Sequence, residues 1–532
     1  MTASNEDSAF HLPKLRVSFG FENDTKFLNN DDDVAEFFDV KFCPYQPLDC
    51  DPVFAAVVIC KLSSNTGDSN PCSVLFIIRD DDDDASGCCC TWTKDPMTGA
   101  PYICIGGGDA KVKIYDVTTG RLVDCFSGHG GDVNDLATSP INSSIIASAS
   151  NDTSIRIWSI DGKFRAQPCL CILAGEGHSW NLLSLSFHDT GKYLISGGHD
   201  QVINLWTLPS LPTEPVVTPL QVHYPHFSTS AVHSGIVDWQ VPPYLPAACH
   251  ACVAFFGDLI LSRACHDNVI VLWRIEGFSS DGPPPPQSAA PTAQTAVPTT
   301  LDDQSRLTRS FFVPSTTPEC PSQYTRLLEL HTPNCGPQFF MRFGLHHVPR
   351  QNPVLAFCNA GGNILFWDLR RLAIYHDVMA ALNDPSRDRT RPTPLPTWLK
   401  PIIPRQRADM FGRIKSGKEK KRGGAASASV STRQSSTASS RGGGGAGGAQ
   451  GLSGTSVGPG EETMTPEFSA ETLESWAAKY SMEDPHEPVK AHRTESSAAT
   501  FVGRQAAWSP GGEWCVVVGS SNTTLVLQRW AK

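Results

Sequence analysis

Short apolar segments separated by small and acidic residues recur along most of the chain. Three of them share one order: small residues, then an Asp, then an alternating segment that ends in an aromatic residue. These aromatic residues are Tyr115, Trp158 and Trp206, so the pattern repeats after 43 and then 48 positions. Alternation of apolar and polar positions with a period of two is typical of β-strands. The chain is therefore predicted to consist of repeated antiparallel sheets.

A Gly-His pair precedes two of these strands. His129 stands 29 positions before Trp158, and His178 stands 28 positions before Trp206. Together with the turn Asp, this spacing resembles the WD40 repeat, in which four short antiparallel strands form one blade of a propeller. We expect each His to hydrogen-bond the turn Asp across its blade and each aromatic residue to pack between blades. Both His residues are therefore interpreted as structural rather than as metal ligands or catalytic bases.

Looser copies extend the pattern to seven blades. Asp267 precedes Trp273 by six positions, a last copy ends at Trp530, and a degenerate first copy covers residues 37–78. The alternating segment 15–21 is expected to pair with the last blade and close the ring, which removes exposed sheet edges. The predicted fold is an all-β, seven-bladed WD40 β-propeller with two long disordered insertions.

The predicted propeller is a single domain, whereas the length of the chain alone suggests three or four domains. Two segments do not fit blades: a stretch with four consecutive prolines, and a long basic and Gly/Ser-rich stretch. The predicted organisation is a disordered N-terminus (1–11), propeller strands and blades 1–5 (12–276), a Pro-rich insertion (277–308), blade 6 (309–370), a basic and Gly/Ser-rich insertion (371–491) and blade 7 (492–532).

Composition excludes several classes of protein. Charged residues make up 18% of the 532 residues, which is too few for a coiled coil. The longest uncharged apolar run, Pro52–Cys60, has nine residues, whereas a membrane helix needs about 20. Residues 1–11 show no secretory signal pattern. We therefore expect an intracellular protein without a membrane segment, in which the 18 cysteines are mainly buried free thiols.

No enzymatic motif is recognisable, and we predict a non-catalytic protein that needs no cofactor. Gly106–Gly108 looks like a nucleotide-binding loop only in isolation, because the Asp and the strand that follow make it a propeller turn. Cys249 and Cys252 have the spacing of half a zinc site, which Cys265 and His266 could complete in a zinc enzyme. The same cysteines fit apolar strand patterns, so we favour core thiols and predict no metal.

Charge is distributed unevenly along this acidic chain. The net charge is −11, but Arg405–Arg422 carries +6, which leaves −17 for the rest. The basic stretch has three candidate roles: a solvated arm, a nuclear-import signal or a nucleic-acid contact. Five consecutive carboxylates at Asp80–Asp84 are interpreted as a solvated loop, with attraction of basic, histone-like tails as the alternative.

One block of sequence is more specific than the blade pattern. It contains Phe227-Ser228-Thr229, His233, Val237-Asp238, Gly257-Asp258-Leu259-Ile260-Leu261-Ser262 and Val271-Leu272-Trp273. This block resembles the Embryonic Ectoderm Development / Extra Sex Combs family. The resemblance continues through Cys90-Thr91-Trp92-Thr93, Gly128-His129, Gly175-Glu176-Gly177-His178, Met341-Arg342-Phe343 and Arg504-Gln505.

The resemblance implies a non-catalytic subunit of Polycomb repressive complex 2 in the nucleus. In the family, one face of the propeller binds a trimethyl-lysine of the histone H3 tail in an aromatic cage. The opposite face binds a helix of the SET-domain methyltransferase subunit (Enhancer of zeste type), and peptide binding stimulates that enzyme. A zinc-finger subunit of Suppressor of zeste type is the other expected partner. The alternative is a generic WD40 scaffold, such as an adaptor in ubiquitin ligation or ribosome assembly, without methyl-lysine reading.

The resemblance places the cage at Phe38, Cys88, Phe339 and Phe340, and places Arg504 at the mouth of the central channel. The family expects an aromatic residue where Cys88 stands, and Trp and Tyr where the two adjacent Phe residues stand. A thiol has no ring quadrupole and Trp is the strongest partner for a cation, so we expect a weakened cage. The alternatives are ordinary core positions for the Phe residues and a structural salt bridge for Arg504.

Overall fold

The computed structural model describes the propeller strands and most of their connections. Its residues fall into two compact units, Met1–Trp398 with Ser475–Lys532, and Leu399–Glu474. All seven blades belong to the first unit, and the described residues of the second are 399–401 and 468–474. In full, the described residues are 11–20, 37–56, 58–63, 70–78, 80, 85–233, 250–265, 267–298, 306–313, 323–335, 338, 340–348, 351–388, 391–396, 398–401, 468–480, 492–495, 501–520 and 523–529.

Seven sheets of at least four strands follow one another along the chain, which confirms the predicted propeller. Blades 1–3 consist of Lys41–Phe42, Val53–Ala55, Val58–Leu62 and Cys72–Ile77; Gly87–Lys94, Pro101–Gly107, Val112–Asp116 and Arg121–Phe126; and Val133–Thr138, Ile145–Ser150, Ile155–Ser159 and Cys169–Leu173. Blades 4 and 5 consist of Leu182–Phe187, Tyr193–Gly198, Ile203–Thr207 and Phe227–Thr229; and His250–Phe256, Leu259–Ala264, Val269–Ile275 and Tyr324–His331.

The last two blades draw strands from distant parts of the chain. They consist of Gly344–His346, Val354–Cys358, Asn363–Asp368 and His492–Glu495; and Gly503–Trp508, Trp514–Gly519, Thr523–Gln528 and Lys14–Gly20. Short strands extend the outer edges of blades 3 and 4, and three short 3-10 helices lie in connections. These are strands Leu220–Val222, Val297–Pro298 and Leu307–Ser310, and 3-10 helices Gly162–Phe164, Gln287–Ala289 and Ala293–Thr295.

The N-terminal strand closes the ring, as its alternating pattern predicts. Lys14–Gly20 pairs antiparallel with Thr523–Gln528, and the register runs from Lys14 opposite Gln528 to Gly20 opposite Thr523. Blade 7 thereby gains its fourth strand from the opposite end of the sequence. The pairing satisfies backbone groups that would otherwise form an open sheet edge.

Apolar side chains fill the space between neighbouring blades. Trp158, at the end of the third strand of blade 3, is buried in one cluster with Ile114 and Phe126 of blade 2. Its ring stacks on that of Phe126, with a centroid distance of 5.4 Å and an interplanar angle of 18°. The predicted packing of the repeat aromatic between blades is confirmed for this residue.

Four hydrogen-bonded side chains link the segment before the first strand of blade 3 to the turn between its second and third strands. His129 Nδ1 donates to Asp152 Oδ2 at 2.8 Å, and Ser148 Oγ donates to His129 Nε2 at 2.6 Å. Trp158 Nε1 donates to Ser148 Oγ at 2.7 Å. Each donor finds an acceptor when the imidazole is neutral and carries its proton on Nδ1. Burial lowers the pKa of His129 and so favours this neutral form.

The same set of four side chains recurs in blades 4 and 5. There the His–Asp contacts measure 2.9 and 2.7 Å, and the His–Ser contacts measure 2.7 and 2.8 Å. The residues are His178, Asp200, Ser196 and Trp206, and His233, Asp267, Ser262 and Trp273. The predicted His–Asp bond across the blade is confirmed at His129 and His178, and the structure adds a third at His233. In each blade, the Ser hydroxyl also accepts a hydrogen bond from the Trp ring N–H.

Both insertions lie inside blades rather than between them. Residues 277–308 precede Tyr324–His331, the outer strand of blade 5, and residues 371–491 precede His492–Glu495, the outer strand of blade 6. The structure therefore corrects the predicted block for blade 6, residues 309–370, which holds the outer strand of blade 5 and lacks that of blade 6. Outer strands lie at the rim, so a long connection can leave and return there without disturbing the inner strands.

Part of the Pro-rich insertion is folded onto blade 4, contrary to the expectation of disorder. His226 Nε2 donates to the carbonyl oxygen of Pro286 at 3.1 Å, and Gln287 Nε2 donates to the carbonyl oxygen of Thr207 at 2.6 Å. Val297–Pro298 pairs with the strand that extends this blade. Specific polar contacts therefore position a segment whose composition alone suggests a flexible linker.

Two α-helices occur in the second insertion, which was also expected to be disordered. They are α1, Leu369–Asn383, and α2, Ala470–Tyr480. Helix α1 buries Leu372, Tyr375 and Val378, three residues spaced by three positions on one face. The Tyr375 ring lies 5.9 Å from that of Tyr480, near the end of the insertion. No helix among the described residues is long and apolar enough to span a bilayer.

We predict that Ser148→Ala destabilises the protein, because it leaves the Trp158 N–H and His129 Nε2 buried without partners. The free energy of unfolding should fall by about 2 kcal/mol. Urea unfolding followed by tryptophan fluorescence measures it. Ser210→Ala, at an exposed loop position, is the control and should change the value by less than about 0.5 kcal/mol. Equal effects of the two substitutions would contradict the structural role of the four-residue set.

Candidate functional site

The structure brings three of the predicted site residues together around one ring. Phe340 meets Phe38 edge to face, with a centroid distance of 5.8 Å and an interplanar angle of 74°. The guanidinium carbon of Arg504 lies 5.7 Å from the centroid of the Phe38 ring. Both contacts are favourable, because the face of an aromatic ring is negative and attracts the positive edge of another ring or a cation. Phe339 lies outside the described residues.

Phe340 has an unusual backbone conformation. Its φ is 50°, in the left-handed region that non-glycine residues rarely adopt. Such a conformation costs about 1–2 kcal/mol and persists only where its surroundings enforce it. Here the ring packs against Leu183 and Cys265, while the next residue, Met341, is fully buried. Packing around Phe340 therefore offsets the strain of this conformation and holds the Phe340 ring against Phe38.

Cys88 lies near the start of the inner strand of blade 2 and lines a cavity of about 270 Å³ together with Phe38. Its thiol donates to the carbonyl oxygen of Val133 at 3.1 Å. Tyr115, from the third strand of the same blade, contributes a second ring to the cavity wall. The sequence predicts Tyr115 only as the repeat aromatic residue, because the spacing of the repeats does not show that its ring borders this cavity.

Charged side chains also line the cavity. Lys113 Nζ lies 2.6 Å from Asp80 Oδ2 and 2.8 Å from Asp109 Oδ2. Tyr115 donates its hydroxyl to Asp80 at 3.2 Å. Burial and this carboxylate raise the pKa of Tyr115 to about 12. The first carboxylate of the predicted acidic loop thus makes contacts within the fold, and residues 81–84 lie outside the described residues.

A buried charge network includes residues that are close to Phe38 and Phe340 in the chain. Arg342 Nη1 lies 3.2 Å from Asp135 Oδ1, and its Nη2 donates to the carbonyl oxygens of Asn134 and Leu183 at 2.8 and 2.7 Å. These contacts join blades 3 and 4 to the segment that carries Phe340. Burial alone would lower the pKa of Arg342, but the nearby carboxylates outweigh it and raise the pKa above its ordinary value.

Lys41 and Asp39 extend the network to blade 1. Lys41 Nζ lies 3.5 Å from Asp39 Oδ2 and 3.8 Å from Asp135 Oδ1. Burial would lower the pKa of Lys41, yet the two carboxylates reverse that effect and raise it. Asp39 also accepts a hydrogen bond from the backbone N–H of Cys90 at 2.9 Å. The residue next to Phe38 is thereby fixed to the strand that carries Cys88.

A second opening, of about 850 Å³, is lined by residues from the first strands of all seven blades and the turns that follow them. Its wall includes Tyr45, Trp92, Leu345 and Trp508, and Ile141 is 67% exposed beside it. Wide concave surfaces of this kind are common places for binding sites. Phe38, Cys88 and Arg504 do not border this opening.

The structure describes only some residues of the possible zinc site. Cys252 and Cys265 are buried and free, whereas Cys249 and His266 lie outside the described residues. Within the described ranges, no group of three or more His, Cys, Asp or Glu residues is arranged to hold a metal ion. The predicted buried thiols are confirmed at Cys60 and Cys515. The basic stretch 405–422 lies outside the described residues and its roles stay predictions.

Comparison with known proteins finds relatives that match from about half to nearly all of this chain. The family described as WD domain, G-beta repeat matches residues 120–159 and 168–207. The Polycomb protein EED of Chaetomium thermophilum is 46% identical, over 99% of this chain and 98% of the relative. The Polycomb protein esc of Drosophila melanogaster is 28% identical, over 49% of this chain and 60% of the relative.

Solved structures agree with the fold. A chain in the crystal structure of the Chaetomium thermophilum polycomb repressive complex 2 superposes with a TM-score of 0.74 at 44% identity, covering 98% of both chains. A chain in the structure of that complex with H3K27me3 superposes with a TM-score of 0.73 at 43% identity, again over 98% of both.

We predict that Arg342→Met lowers the free energy of unfolding by about 3–5 kcal/mol, because it leaves a buried carboxylate without its main cation. Guanidinium chloride unfolding measures the change. Arg274→Met is the matched control, since it breaks the ion pair between a half-exposed arginine and Glu276 and should cost less than about 1 kcal/mol. A loss at Arg342 no larger than the loss at Arg274 would contradict the importance of the buried network.

Proposed function

The chain belongs to the Polycomb EED family of WD40 proteins and is a WD40 subunit of Polycomb repressive complex 2, and from this premise we propose that it reads methylated histone tails. The observation that carries the proposal is the convergence of Phe38, Phe340 and Arg504 beside a cavity with an excess of carboxylates. The reaction itself belongs to another subunit, and this chain acts as a non-catalytic reader and scaffold on chromatin in the nucleus.

The proposed ligand is a trimethyl-lysine of the histone H3 tail. A quaternary ammonium cannot donate hydrogen bonds, so ring faces and carboxylates at longer range must attract it. Phe38 contributes a ring to the cavity lining, and Cys88 stands where the family resemblance calls for another. We therefore propose a weak methyl-lysine cage, with Arg504 shielding part of the Phe38 ring until the peptide binds.

The second opening is the proposed docking site for a helix of the SET-domain methyltransferase, of Enhancer of zeste type. A rigid concave surface with apolar residues such as Leu345 and Ile141 suits the apolar face of an amphipathic helix. A subunit of Suppressor of zeste type completes the proposed complex, and residues 405–422 are proposed to contact nucleic acid. Binding of the histone peptide is proposed to stimulate methylation through the subunit that links both faces.

A scaffold that does not read methyl-lysine is the second candidate. The specific observation in its favour is Cys88, because the thiol removes a ring that the family cage is expected to have. Such a scaffold would keep the second opening and its partner helix. It would bind modified and unmodified tails equally.

We predict that the full chain binds a trimethylated H3K27 peptide weakly but more tightly than the unmodified peptide in calorimetric titration. Phe38→Ala should abolish the difference, because it removes a ring from the cavity lining. Phe76→Ala is the matched control, since this half-exposed Phe lies in the outer strand of the same blade. Equal affinity for both peptides in the wild-type chain would reject methyl-lysine reading and leave the scaffold.

We predict that Ile141→Asp releases the methyltransferase subunit, because a buried carboxylate without a partner opposes docking of an apolar helix face. Co-purification of the complex from cells measures it, with at least a tenfold loss of the SET-domain subunit, about 1.4 kcal/mol of binding. Val217→Asp, at a residue that is 93% exposed and does not line the opening, should retain the subunit. Retention by Ile141→Asp would place the partner elsewhere.

We predict that, in the assembled complex, the trimethylated peptide raises the methylation rate by about 5–150-fold, the range of a typical allosteric coupling. Initial rates with and without peptide measure it. The Phe38→Ala complex should keep its basal rate and lose the stimulation. A stimulation that survives this substitution would show that the cavity at Phe38 is not the regulatory site.

A further inference from the structure

The first strand of blade 2 has an irregularity at its three consecutive cysteines. Along its pairing with the second strand, the register shifts between Gly87 and Cys89. Cys88 is therefore the extra residue of a β-bulge. Successive side chains of a regular strand point to opposite faces, and a bulge interrupts this alternation. Neighbouring side chains can therefore point to the same side here.

The thiols of Cys88 and Cys89 share one hydrogen-bond acceptor, the carbonyl oxygen of Val133 in blade 3. The sulfur–oxygen distances are 3.1 Å for Cys88 and 3.3 Å for Cys89. Both side chains pack in the same apolar cluster, and the Cys89 thiol donates a hydrogen bond to the sulfur of Cys88. The next residue, Cys90, packs in a different cluster, with Tyr115. The bulge therefore pairs two of the three thiols and leaves the third apart.

The two paired cysteines differ in accessibility and in acidity. Cys88 is partly buried on the wall of the cavity beside Phe38, whereas Cys89 is 3% exposed. The hydrogen bond from Cys89 lowers the pKa of the Cys88 thiol and outweighs the effect of burial, and the Arg342 guanidinium lowers this pKa further. The thiolate is the nucleophilic form of cysteine. Cys88 is thus placed to react with a small reagent in the cavity, and Cys89 is placed to react with the product.

We propose that Cys88 and Cys89 form an oxidant-sensitive dithiol, which a peroxide converts to a disulfide, and that this oxidation weakens binding of the methylated peptide. The Cys88 thiolate attacks one oxygen of the peroxide, the O–O bond breaks, and the products are a sulfenic acid and an alcohol, or water from hydrogen peroxide. The Cys89 thiol then attacks the Cys88 sulfur, the S–S bond forms, and the sulfenic oxygen leaves as water. Two thiols are oxidised and one peroxide is reduced.

The effect on peptide binding rests on the proposed reading of methyl-lysine. A disulfide draws the Cys88 sulfur toward the buried Cys89 and away from the cavity, so the bound methylammonium group loses a contact. The loss of one contact the size of a methylene lowers affinity by about three- to fivefold. Disulfides are rare in nuclear proteins, and those that form there are usually transient and redox-sensing. The dithiol is therefore the resting state of the site.

Mass spectrometry of the full chain tests the disulfide directly. The chain is treated with hydrogen peroxide, unfolded in iodoacetamide and digested with trypsin, which releases residues 80–94 with all three cysteines in one peptide. This peptide should carry an alkyl group on Cys90 alone, and a disulfide between Cys88 and Cys89 that dithiothreitol reduces. Cys90→Ala is the matched control and should keep the disulfide, whereas Cys89→Ala should abolish it.

Two results would overturn the dithiol. One is alkylation of all three cysteines after peroxide treatment. The other is a sulfinic acid at Cys88 beside an alkylated Cys89, which would show a reactive single thiol. Both can be seen in the wild-type chain, so the inference remains falsifiable even if a variant does not fold.

Calorimetric titration with the trimethylated H3K27 peptide tests the consequence. The oxidised chain should bind about three- to fivefold more weakly than the reduced chain. Dithiothreitol should restore the affinity, which excludes methionine oxidation as the cause. Cys72→Ser is the matched control, because it removes one thiol of another hydrogen-bonded pair, Cys60 and Cys72 in blade 1, and it should keep the full effect.

The outcomes separate this inference from the proposed function. Equal affinity of the oxidised and reduced chains, with the disulfide present, would overturn the regulation and leave methyl-lysine reading in place. A reduced chain that binds methylated and unmodified peptides equally would reject the proposed function and the regulation together. The disulfide is judged by the mass measurement alone, which does not depend on peptide binding.

Discussion

Closure of the propeller by the N-terminal strand is the constraint on which the rest of the structure depends. Lys14–Gly20 pairs with Thr523–Gln528, so the two ends of the sequence meet in one blade. Without this pairing, blade 7 would keep three strands and an open edge. The cavity at Phe38 lies between blades 1 and 2, whereas the second opening is lined by all seven blades, so its wall is continuous only in a closed ring.

Closure places residues that are far apart in sequence within hydrogen-bond distance. Arg342 and Asp135 are 207 positions apart, yet their ion pair joins blade 3 to the segment that carries Phe340. A buried ion pair is weak evidence for stability, because desolvation offsets much of its attraction. Its clearer consequence is geometric: Arg342 and Asp39 fix the backbone beside Phe340 and Phe38. The insertions leave this arrangement untouched because they connect strands at the rim.

The features that the sequence predicts well are local and repeated. The spacing from His129 to Trp158 is enough to identify a blade, because every partner in that set lies within 29 positions. The predicted boundaries of the blades are wrong where the outer strand of a blade follows a long insertion, as His492–Glu495 does in blade 6. Helix α1 has a spacing of apolar residues that predicts it, but the neighbouring low-complexity sequence conceals it. The hydrogen bond from Cys90 to Asp39 and the place of Tyr115 depend on contacts between strands, which composition and spacing do not specify.

The methylated lysine is proposed to enter one cavity, the one between blades 1 and 2. A crystal structure of the full chain with a methylated H3K27 peptide measures this most directly. The methylammonium group should lie against the Phe38 ring. A methylammonium group found at the opening lined by Leu345 and Trp508, or anywhere else outside the Phe38 cavity, would contradict the account.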